Sequence, residues 1–201
     1  MNTIDMLMRR AAKEPSACLM LLPDAKSAKA INNLKHGLEL PPGTMLPDDG
    51  EKGPHVTIRF WKTDGRHVDQ SMKDFLAQYL DGQVVQAKTT AWEIFGKKRD
   101  TLVLVVDSPE LTSLQRQIDQ HLQRRFDVPR SDFDDYRPHI SVAEGLVGTE
   151  ALPGQSPALD LRLNRWSLTE GHGDGYDEVW SLRAAKWVRN NLRTHLPLHR
   201  K

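Results

Sequence analysis

The sequence predicts a fold of two similar lobes, each combining strands with a helix, that meet at one cleft. Two observations predict it. The order strand, helix, loop, strand occurs twice, and each closing strand carries a histidine followed two residues later by a hydroxyl side chain. The two units also have nearly equal length, since the stretch from Ala17 to His55 matches the stretch from Leu102 to His139. Lobes related by a pseudo-twofold axis would bring both histidine strands to the cleft.

In the first half, apolar periodicity and capping residues define each element. Asp24 is a natural N-cap, and Gly37 is expected just past the end of the helix that Asp24 begins. The loop before the first histidine strand is rich in Pro, Gly and Asp. The predicted elements are a strand over 17–22, a helix over 25–36, a loop over 38–54, the first histidine strand to residue 61, a helix over 68–80 and extended structure over 83–95.

The second half repeats this order. Ser108-Pro109-Glu110 combines an N-cap, a proline at the first helical position and an acidic first turn. The predicted elements are a strand over 101–106, a helix over 109–126, a polar loop over 132–137, the second histidine strand, a strand over 159–168, a turn over 170–176 and a strand over 179–182. Residues 184–201 are expected to form an amphipathic helix and a basic tail.

The two histidine strands are variants of one motif, Pro54-His55-Val56-Thr57-Ile58 and Pro138-His139-Ile140-Ser141-Val142. In a strand, residues two apart share a face and lie about 6.5–7 Å from each other. His55 therefore points the same way as Thr57, and His139 the same way as Ser141. Two facing pairs of this kind supply a general base, a general acid and two hydroxyl donors.

A single His-x-Ser/Thr pattern carries little information, because chance alone gives it to about one histidine in eight at average composition. The shared context is what makes the pair informative: proline before the histidine, β-branched residues between and after. The other six histidines of the chain lack the pattern. The alternative is a pair of strand histidines with a purely structural role.

Composition limits the classes of function. The chain has 201 residues, 27% charged and 38% apolar, which predicts one globular domain over 1–201 with a core over about 15–183. A net charge of +1 argues against a protein that binds long polyanions. Cys18 is the only cysteine, so no internal disulfide can form. The sequence shows neither an apolar run of membrane-spanning length nor a secretory leader, so we expect a cytoplasmic protein without a membrane or obligate protein partner.

The stretches PHVTIRF and PHISVAEG resemble the paired signatures of the two-histidine (2H) phosphoesterase superfamily. This superfamily includes 2′-5′ RNA ligase-like enzymes, plant-type cyclic phosphodiesterases and phage nucleases that disarm CBASS immunity. The resemblance covers most of residues 15–183. It implies a bilobal α+β fold, with His55, Thr57, His139 and Ser141 lining the cleft. Serine at 141 is within the family's pattern.

The residues themselves indicate how such a site would work. An unperturbed histidine titrates near pH ~6.5, so one imidazole can be neutral while the other is protonated. The neutral one removes a proton from water or a ribose 2′-hydroxyl, and the protonated one gives a proton to the leaving oxygen. Thr57 and Ser141 would hold the non-bridging oxygens. No metal or other cofactor is needed, and the sequence does not decide which histidine is the base.

A metal site is the rival interpretation of histidines and acids together. However, no Cys/His cluster has ligand spacing, and the acidic residues of the polar loop do not continue into an EF-hand.

Three further residues are candidates for substrate binding. Strand parity puts Arg59 on the face of His55 and Thr57. Glu170 and Tyr176 flank the turn after the second motif. The resemblance to the 2H phage nucleases implies base-contacting groups at this turn. Tyr176 would stack on a nucleobase and Glu170 would accept from its amino edge. An ordinary hairpin with polar residues at its tip is the alternative.

Three functions remain open at this point. The first is a metal-independent phosphodiesterase for small nucleotides, including cyclic oligonucleotide signals of phage defence. The second is an RNA-end enzyme that acts on 2′,3′-cyclic phosphates or 2′-5′ linkages. The third is a catalytically idle nucleotide-binding module. The near-neutral charge favours small substrates over long RNA, and two intact motifs disfavour the idle module.

Overall fold

The computed structural model describes residues 15–47, 53–63, 67–96, 98–130, 136–146, 152–154, 157–172 and 175–183. Residues outside these ranges include the amino-terminal 1–14, residues 131–135 of the predicted polar loop, and 184–201, for which a helix and a basic tail were predicted. Within the described ranges, no helix is both long and apolar enough to span a membrane.

The described residues form seven strands and three helices. The strands are β1 (Ser16–Pro23), β2 (Val56–Lys62), β3 (Val85–Phe95), β4 (Thr101–Asp107), β5 (His139–Glu144), β6 (Asp160–His172) and β7 (Gly175–Arg183). The helices are α1 (Ala25–Gly37), α2 (Gln70–Leu80) and α3 (Pro109–Phe126).

All strand pairs are antiparallel, in the order β2-β1-β6-β3-β4-β5, and β7 pairs with the second part of β6. The two histidine strands, β2 and β5, therefore lie at opposite ends of this path. Their Cα atoms nevertheless come within 8 Å of each other, so the sheet curls until its ends meet. This is the α+β fold that the sequence predicted, with the motif strands brought to one place.

The repeat seen in the sequence is present in the structure. The unit β1-α1-β2 corresponds to β4-α3-β5, and in each unit the closing strand pairs with the opening one. Both helices begin at the predicted caps. The Asp24 carboxylate accepts from the Ser27 amide at 2.9 Å, and the Ser108 hydroxyl accepts from the Leu111 amide at 3.3 Å.

The correspondence extends to a β-bulge in each histidine strand. In β2, Thr57 is opposite Met20 and Arg59 is opposite Leu19, so Ile58 has no partner in the ladder. In β5, Ser141 is opposite Val103 and Ala143 is opposite Leu102, so Val142 has none. Each bulge lies three residues after the histidine. A bulge changes the direction of the side chains that follow it in the strand. Each of these two bulges does so directly after one of the motifs.

The core determines which way the motif side chains point. Val56 and Ile140, the residues between each histidine and its hydroxyl partner, are fully buried in the larger apolar cluster. Helices α1, α2 and α3 all contribute to that cluster. A second cluster packs Val142 with Trp92, against the end of α1. Because neighbouring residues of a strand alternate in direction, His55, Thr57, His139 and Ser141 face away from the core.

Two boundary predictions were wrong. Gly37 was expected just past the end of the helix. It is instead the last residue of α1, and Leu38, with an extended backbone, is the C-cap. The turn expected over 170–176 is mostly strand, because β6 runs to His172 and β7 begins at Gly175. Gly171 pairs with Tyr176, and a Cβ at Gly171 would lie 2.7 Å from the tyrosine ring. The ring occupies the space that the glycine leaves, which keeps this part of the hairpin in the ladder.

The cap of α3 gives a test of this fold. Ser108→Ala removes the acceptor of the Leu111 amide and the hydroxyl that donates to the Gln86 carbonyl at 3.2 Å. We expect the free energy of unfolding to fall by about 0.5–2 kcal/mol in urea denaturation. Ser113→Ala, at an exposed position of the same helix, is the control and should change it by less than about 0.5 kcal/mol. Equal stability of the two variants would contradict the assigned cap.

Candidate active site

The two histidines are held in the same way. The Nδ1 atom of His55 lies 3.3 Å from the Gly53 carbonyl oxygen, and that of His139 lies 2.8 Å from the Arg137 carbonyl oxygen. In each motif the carbonyl belongs to the residue two positions before the histidine. A carbonyl only accepts, so each bond requires the proton on Nδ1. In the neutral form of each ring, Nε2 is then the nitrogen that can accept a proton.

The hydroxyl residues lie beside the histidines as expected. Thr57 and Ser141 are both half-buried. Ser141 shares its face of β5 with His139, and Thr57 lies in β2 two residues after His55, which directly precedes that strand. The Cys18 sulfur lies 4.0 Å from the Thr57 hydroxyl, so the thiol is a neighbour of this position.

His139 has a distinctive environment. Its ring packs against Phe95, with 4.6 Å between centroids, and the Arg137 guanidinium lies 5.7 Å from the Phe95 centroid. Arg137 also forms an ion pair with Glu93. Burial lowers the pKa of His139, and the positive charge of Arg137 lowers it further, while the bond to the Arg137 carbonyl opposes both. The net effect favours a neutral imidazole near pH ~7.

Arg59 does not share the face of His55 and Thr57, and that prediction was wrong. The bulge at Ile58 interrupts the alternation on which strand parity depends. Arg59 is 3% exposed, and its Nε atom lies 2.7 Å from the Asp119 carboxylate of α3. Its guanidinium also donates to the carbonyls of Phe60, at 3.2 Å, and of Pro129. The side chain is directed to the helices and not to the cleft.

These contacts join the two motif-bearing segments. Arg59 lies on the first histidine strand, whereas Asp119 and Pro129 lie on and after α3, which leads to the second. The Tyr136 hydroxyl adds a bond of 3.2 Å to the Thr57 carbonyl. Burial raises the pKa of Tyr136, so it remains a neutral donor. The sequence analysis did not single out Tyr136. The signal that could have indicated it is its position as an aromatic residue in a polar loop directly before the second motif.

Glu170 is also placed differently from the prediction. It is 4% exposed, and its carboxylate accepts from the Val68 amide and lies 3.1 Å from Nδ1 of His67. It shares the β6 face of Trp166 and Leu168, which belong to the core. Glu170 therefore fixes the segment that enters α2, on the side of the sheet opposite the histidines, and is not available to a base in the cleft.

Tyr176 does lie on the histidine side. It pairs with Gly171, which pairs with Ser16, and Ser16 shares its strand face with Met20, the partner of Thr57. Its side chain is half exposed, several strands away from Thr57. Tyr176 therefore lies at the far border of the histidine face, and its predicted stacking on a nucleobase stays a prediction.

The profile of the 2′-5′ RNA ligase superfamily matches residues 23–174, which include both motifs. The chain belongs to this superfamily. The resemblance to two-histidine phosphoesterases noted from the motifs is thereby confirmed. No curated protein sequence matches the chain.

Solved structures of this superfamily's fold are similar to the chain at low sequence identity. TT0787 of Thermus thermophilus has a TM-score of 0.63 at 11% identity, covering 84% of this chain and 97% of its own. LigT of E. coli, complexed with 3′-AMP, has a TM-score of 0.62 at 12% identity, covering 87% and 100%. A structure described as a phosphoesterase has a TM-score of 0.60 at 12% identity, covering 87% of this chain and 100% of its own. At these identities the likeness establishes the fold.

The environment of His139 predicts its titration. We expect its NMR midpoint below the ordinary value of about 6.5, because burial and Arg137 disfavour the imidazolium. The unfolded chain then binds the proton more readily than the folded one. The stability that the neutral ring contributes is therefore complete above pH ~6.5 and is lost as the pH falls below it. A midpoint in the folded protein at or above that of the chain unfolded in concentrated urea would contradict the assigned environment.

Proposed function

We propose that the protein is a metal-independent phosphodiesterase that cleaves small or cyclic nucleotides by general acid–base catalysis with His55 and His139. One observation carries the proposal. Two imidazoles, each held through Nδ1 by the carbonyl two residues earlier, lie on strands that approach each other from opposite ends of the sheet. Such a pair can remove one proton and deliver another within a single displacement at phosphorus.

The direction of the pKa shift at His139 favours one assignment of the two roles. His139, whose pKa is lowered, is the base: its Nε2 takes a proton from water or a ribose 2′-hydroxyl. The oxygen so activated forms a bond to phosphorus, and the bond from phosphorus to the departing ribose oxygen breaks. His55, as imidazolium, gives that oxygen a proton. Thr57 and Ser141 donate to the non-bridging oxygens, where negative charge grows in the transition state.

Small nucleotides are the substrate class that the charge and the related structures support best. The net charge of +1 gives little attraction for long RNA. LigT, with the same fold, has been solved with 3′-AMP, NADP⁺ and ATP. A narrower form of this proposal is an anti-CBASS nuclease, whose substrates would be the cyclic oligonucleotide signals of phage defence. An RNA-end enzyme for 2′,3′-cyclic phosphates or 2′-5′ linkages is the second candidate, favoured by the superfamily to which the chain belongs.

A substrate panel separates these candidates. The purified protein would be tested against cyclic dinucleotides, cyclic trinucleotides, 2′,3′-cyclic mononucleotides and 2′-5′ oligoadenylate. Turnover of the cyclic oligonucleotides supports the first candidate, and turnover restricted to the last two substrates supports the second. Binding without turnover of any of them would leave the idle module and overturn the proposal.

Chelation tests the absence of a metal from the mechanism. We expect full activity in excess EDTA, because the two imidazoles supply the proton transfers and the hydroxyls supply the oxygen contacts. The initial rate on the best substrate of the panel would be compared before and after dialysis against the chelator. A loss of activity that Zn²⁺ or Mn²⁺ restores would refute this mechanism.

The hydroxyls have a separate test. Thr57→Ala or Ser141→Ala should lower kcat by roughly 10- to 1,000-fold, the range for losing one transition-state donor. Ser113→Ala, at an exposed site on α3, is the matched hydroxyl deletion and should leave kcat unchanged. Wild-type kcat in both strand variants would show that these hydroxyls are not phosphate ligands.

A further inference from the structure

The two carbonyls that accept from the histidines belong to very different residues. The carbonyl at His55 is that of Gly53, which has a φ of +73° and no side chain. A left-handed backbone of this kind favours glycine, and Gly53 can be fixed only through contacts to its backbone. The carbonyl at His139 is that of Arg137, whose long side chain has partners of its own. The second motif therefore has an anchor that the first lacks.

The Arg137 side chain is anchored to β3 at two points. Its guanidinium donates to the Glu93 carboxylate, and it lies 5.7 Å from the centroid of the Phe95 ring, within the range of a cation–π contact. Glu93 and Phe95 are two residues apart and share a face of β3. An ion pair with side chains 54% and 30% exposed contributes little by itself, so the second contact adds to the hold on Arg137.

The anchor reaches across a whole strand. Glu93 is opposite Val103 of β4, and Val103 is opposite Ser141 of β5. Opposite residues of neighbouring strands share a face, so Glu93 lies on the face of Ser141 and His139, two strands away. Two strand spacings are about 9–10 Å, which the Arg137 side chain spans from the segment just before β5. The ion pair thus ties the entry of the second motif to the middle of the sheet.

These contacts close on the imidazole of His139. Its Nδ1 atom lies 2.8 Å from the Arg137 carbonyl oxygen, and its ring packs against Phe95 with 4.6 Å between centroids. The backbone of Arg137 therefore contacts one edge of the imidazole, while its side chain contacts the aromatic ring that packs on the imidazole. The matching distance from His55 to the Gly53 carbonyl is longer, at 3.3 Å.

We propose that the Glu93–Arg137 ion pair is a positioning device for His139: by anchoring the Arg137 side chain to β3, it holds the Arg137 carbonyl where it keeps the imidazole proton on Nδ1. The inference rests on the proposed function, in which Nε2 of His139 accepts a proton. A neutral imidazole with its proton on Nε2 cannot accept another at that atom. Glu93 and Arg137 act through His139 and are positioning residues.

The tautomer of His139 is the direct readout. Ring ¹⁵N chemical shifts distinguish a proton on Nδ1 from one on Nε2, and they would be recorded at pH ~8.5, above the ordinary histidine midpoint of about 6.5. Spectra of His55→Ala and His139→Ala assign the two rings. We expect Glu93→Ala and Arg137→Ala each to lower the ratio of the Nδ1–H to the Nε2–H form of His139 roughly 2- to 12-fold, the range for losing one hydrogen bond. The double variant should match the single ones, because the two residues form one pair.

Three comparisons make this outcome specific. His55 provides an internal reference in each spectrum and should keep its wild-type ratio, because Gly53 has no side chain to release. Lys88→Ala removes another ion pair of β3, with Asp160 at 3.8 Å, and should change neither ring. Arg137→Lys keeps a charge for Glu93 and should retain more of the wild-type ratio than Arg137→Ala. Circular dichroism would verify the fold of each variant.

Steady-state kinetics separates positioning from substrate binding. On the best substrate of the panel, Glu93→Ala and Arg137→Ala should lower kcat roughly 2- to 10-fold and leave KM within about twofold. The bound substrate then meets a base that is less often in the competent tautomer. A higher KM at unchanged kcat in Arg137→Ala would show that Arg137 binds the substrate and would overturn the proposal.

Positioning by Glu93 and Arg137 is also overturned if His139 keeps its wild-type tautomer ratio in both single variants, or if the ratio of His55 changes as much. A wild-type His139 with its proton mainly on Nε2 would have the same consequence. The tautomers are measured without substrate, so these outcomes are independent of catalysis. Failure of the proposed function would appear instead as unchanged turnover in variants of the two histidines.

Discussion

The approach of β2 to β5 is the constraint on which the site depends. These strands are the two ends of the sheet path, and each motif alone provides one imidazole and one hydroxyl. Arg59 of β2 contacts Asp119 of α3 and the carbonyl of Pro129, which follows α3. The Tyr136 hydroxyl, just before the second motif, donates to the Thr57 carbonyl of β2. Removal of the carboxylate would leave the buried guanidinium as a costly uncompensated charge, so the Arg59–Asp119 pair opposes separation of β2 from α3. The curled sheet brings the motifs together, and the buried polar contacts hold them there.

Core packing supplies the orientation of the site. Val56 and Ile140 enter the apolar cluster from the two histidine strands, and a slip of one residue in either strand would exchange these side chains with the histidines and hydroxyls. Such a slip would bury polar groups and expose β-branched ones, so the hydrophobic pattern strongly specifies the register. The bulges at Ile58 and Val142 then re-aim the residues beyond each motif, and in β2 this turns Arg59 toward the helices and places Phe60 on the cleft side.

The correct predictions from the sequence are local ones. The caps at Asp24 and Ser108, the apolar faces of the helices and the alternation around each histidine depend on residues close in the chain, and they predicted the elements and the motif directions. Arg59 and Glu170 were misplaced because their positions depend on strand register. A bulge changed the parity of Arg59. The pairing of Glu170 with Ala17 and Asp177 put Glu170 in the ladder, where its carboxylate faces the core and the segment before α2. The pairing of β2 with β1, which creates the bulge, joins residues far apart in the chain, such as Met20 and Thr57, and leaves no short-range signal.

Mutation of the two histidines, singly and together, tests the central claim most directly. Initial rates would be measured on the best substrate of the panel for His55→Ala, His139→Ala and the double variant. If both act in one transition state, each single change should lower kcat by roughly 10²- to 10⁴-fold, and the double change should lower it little further, because groups that work as a unit are not additive. Wild-type turnover in both single variants would show that the paired histidine motifs are not the catalytic groups of this protein.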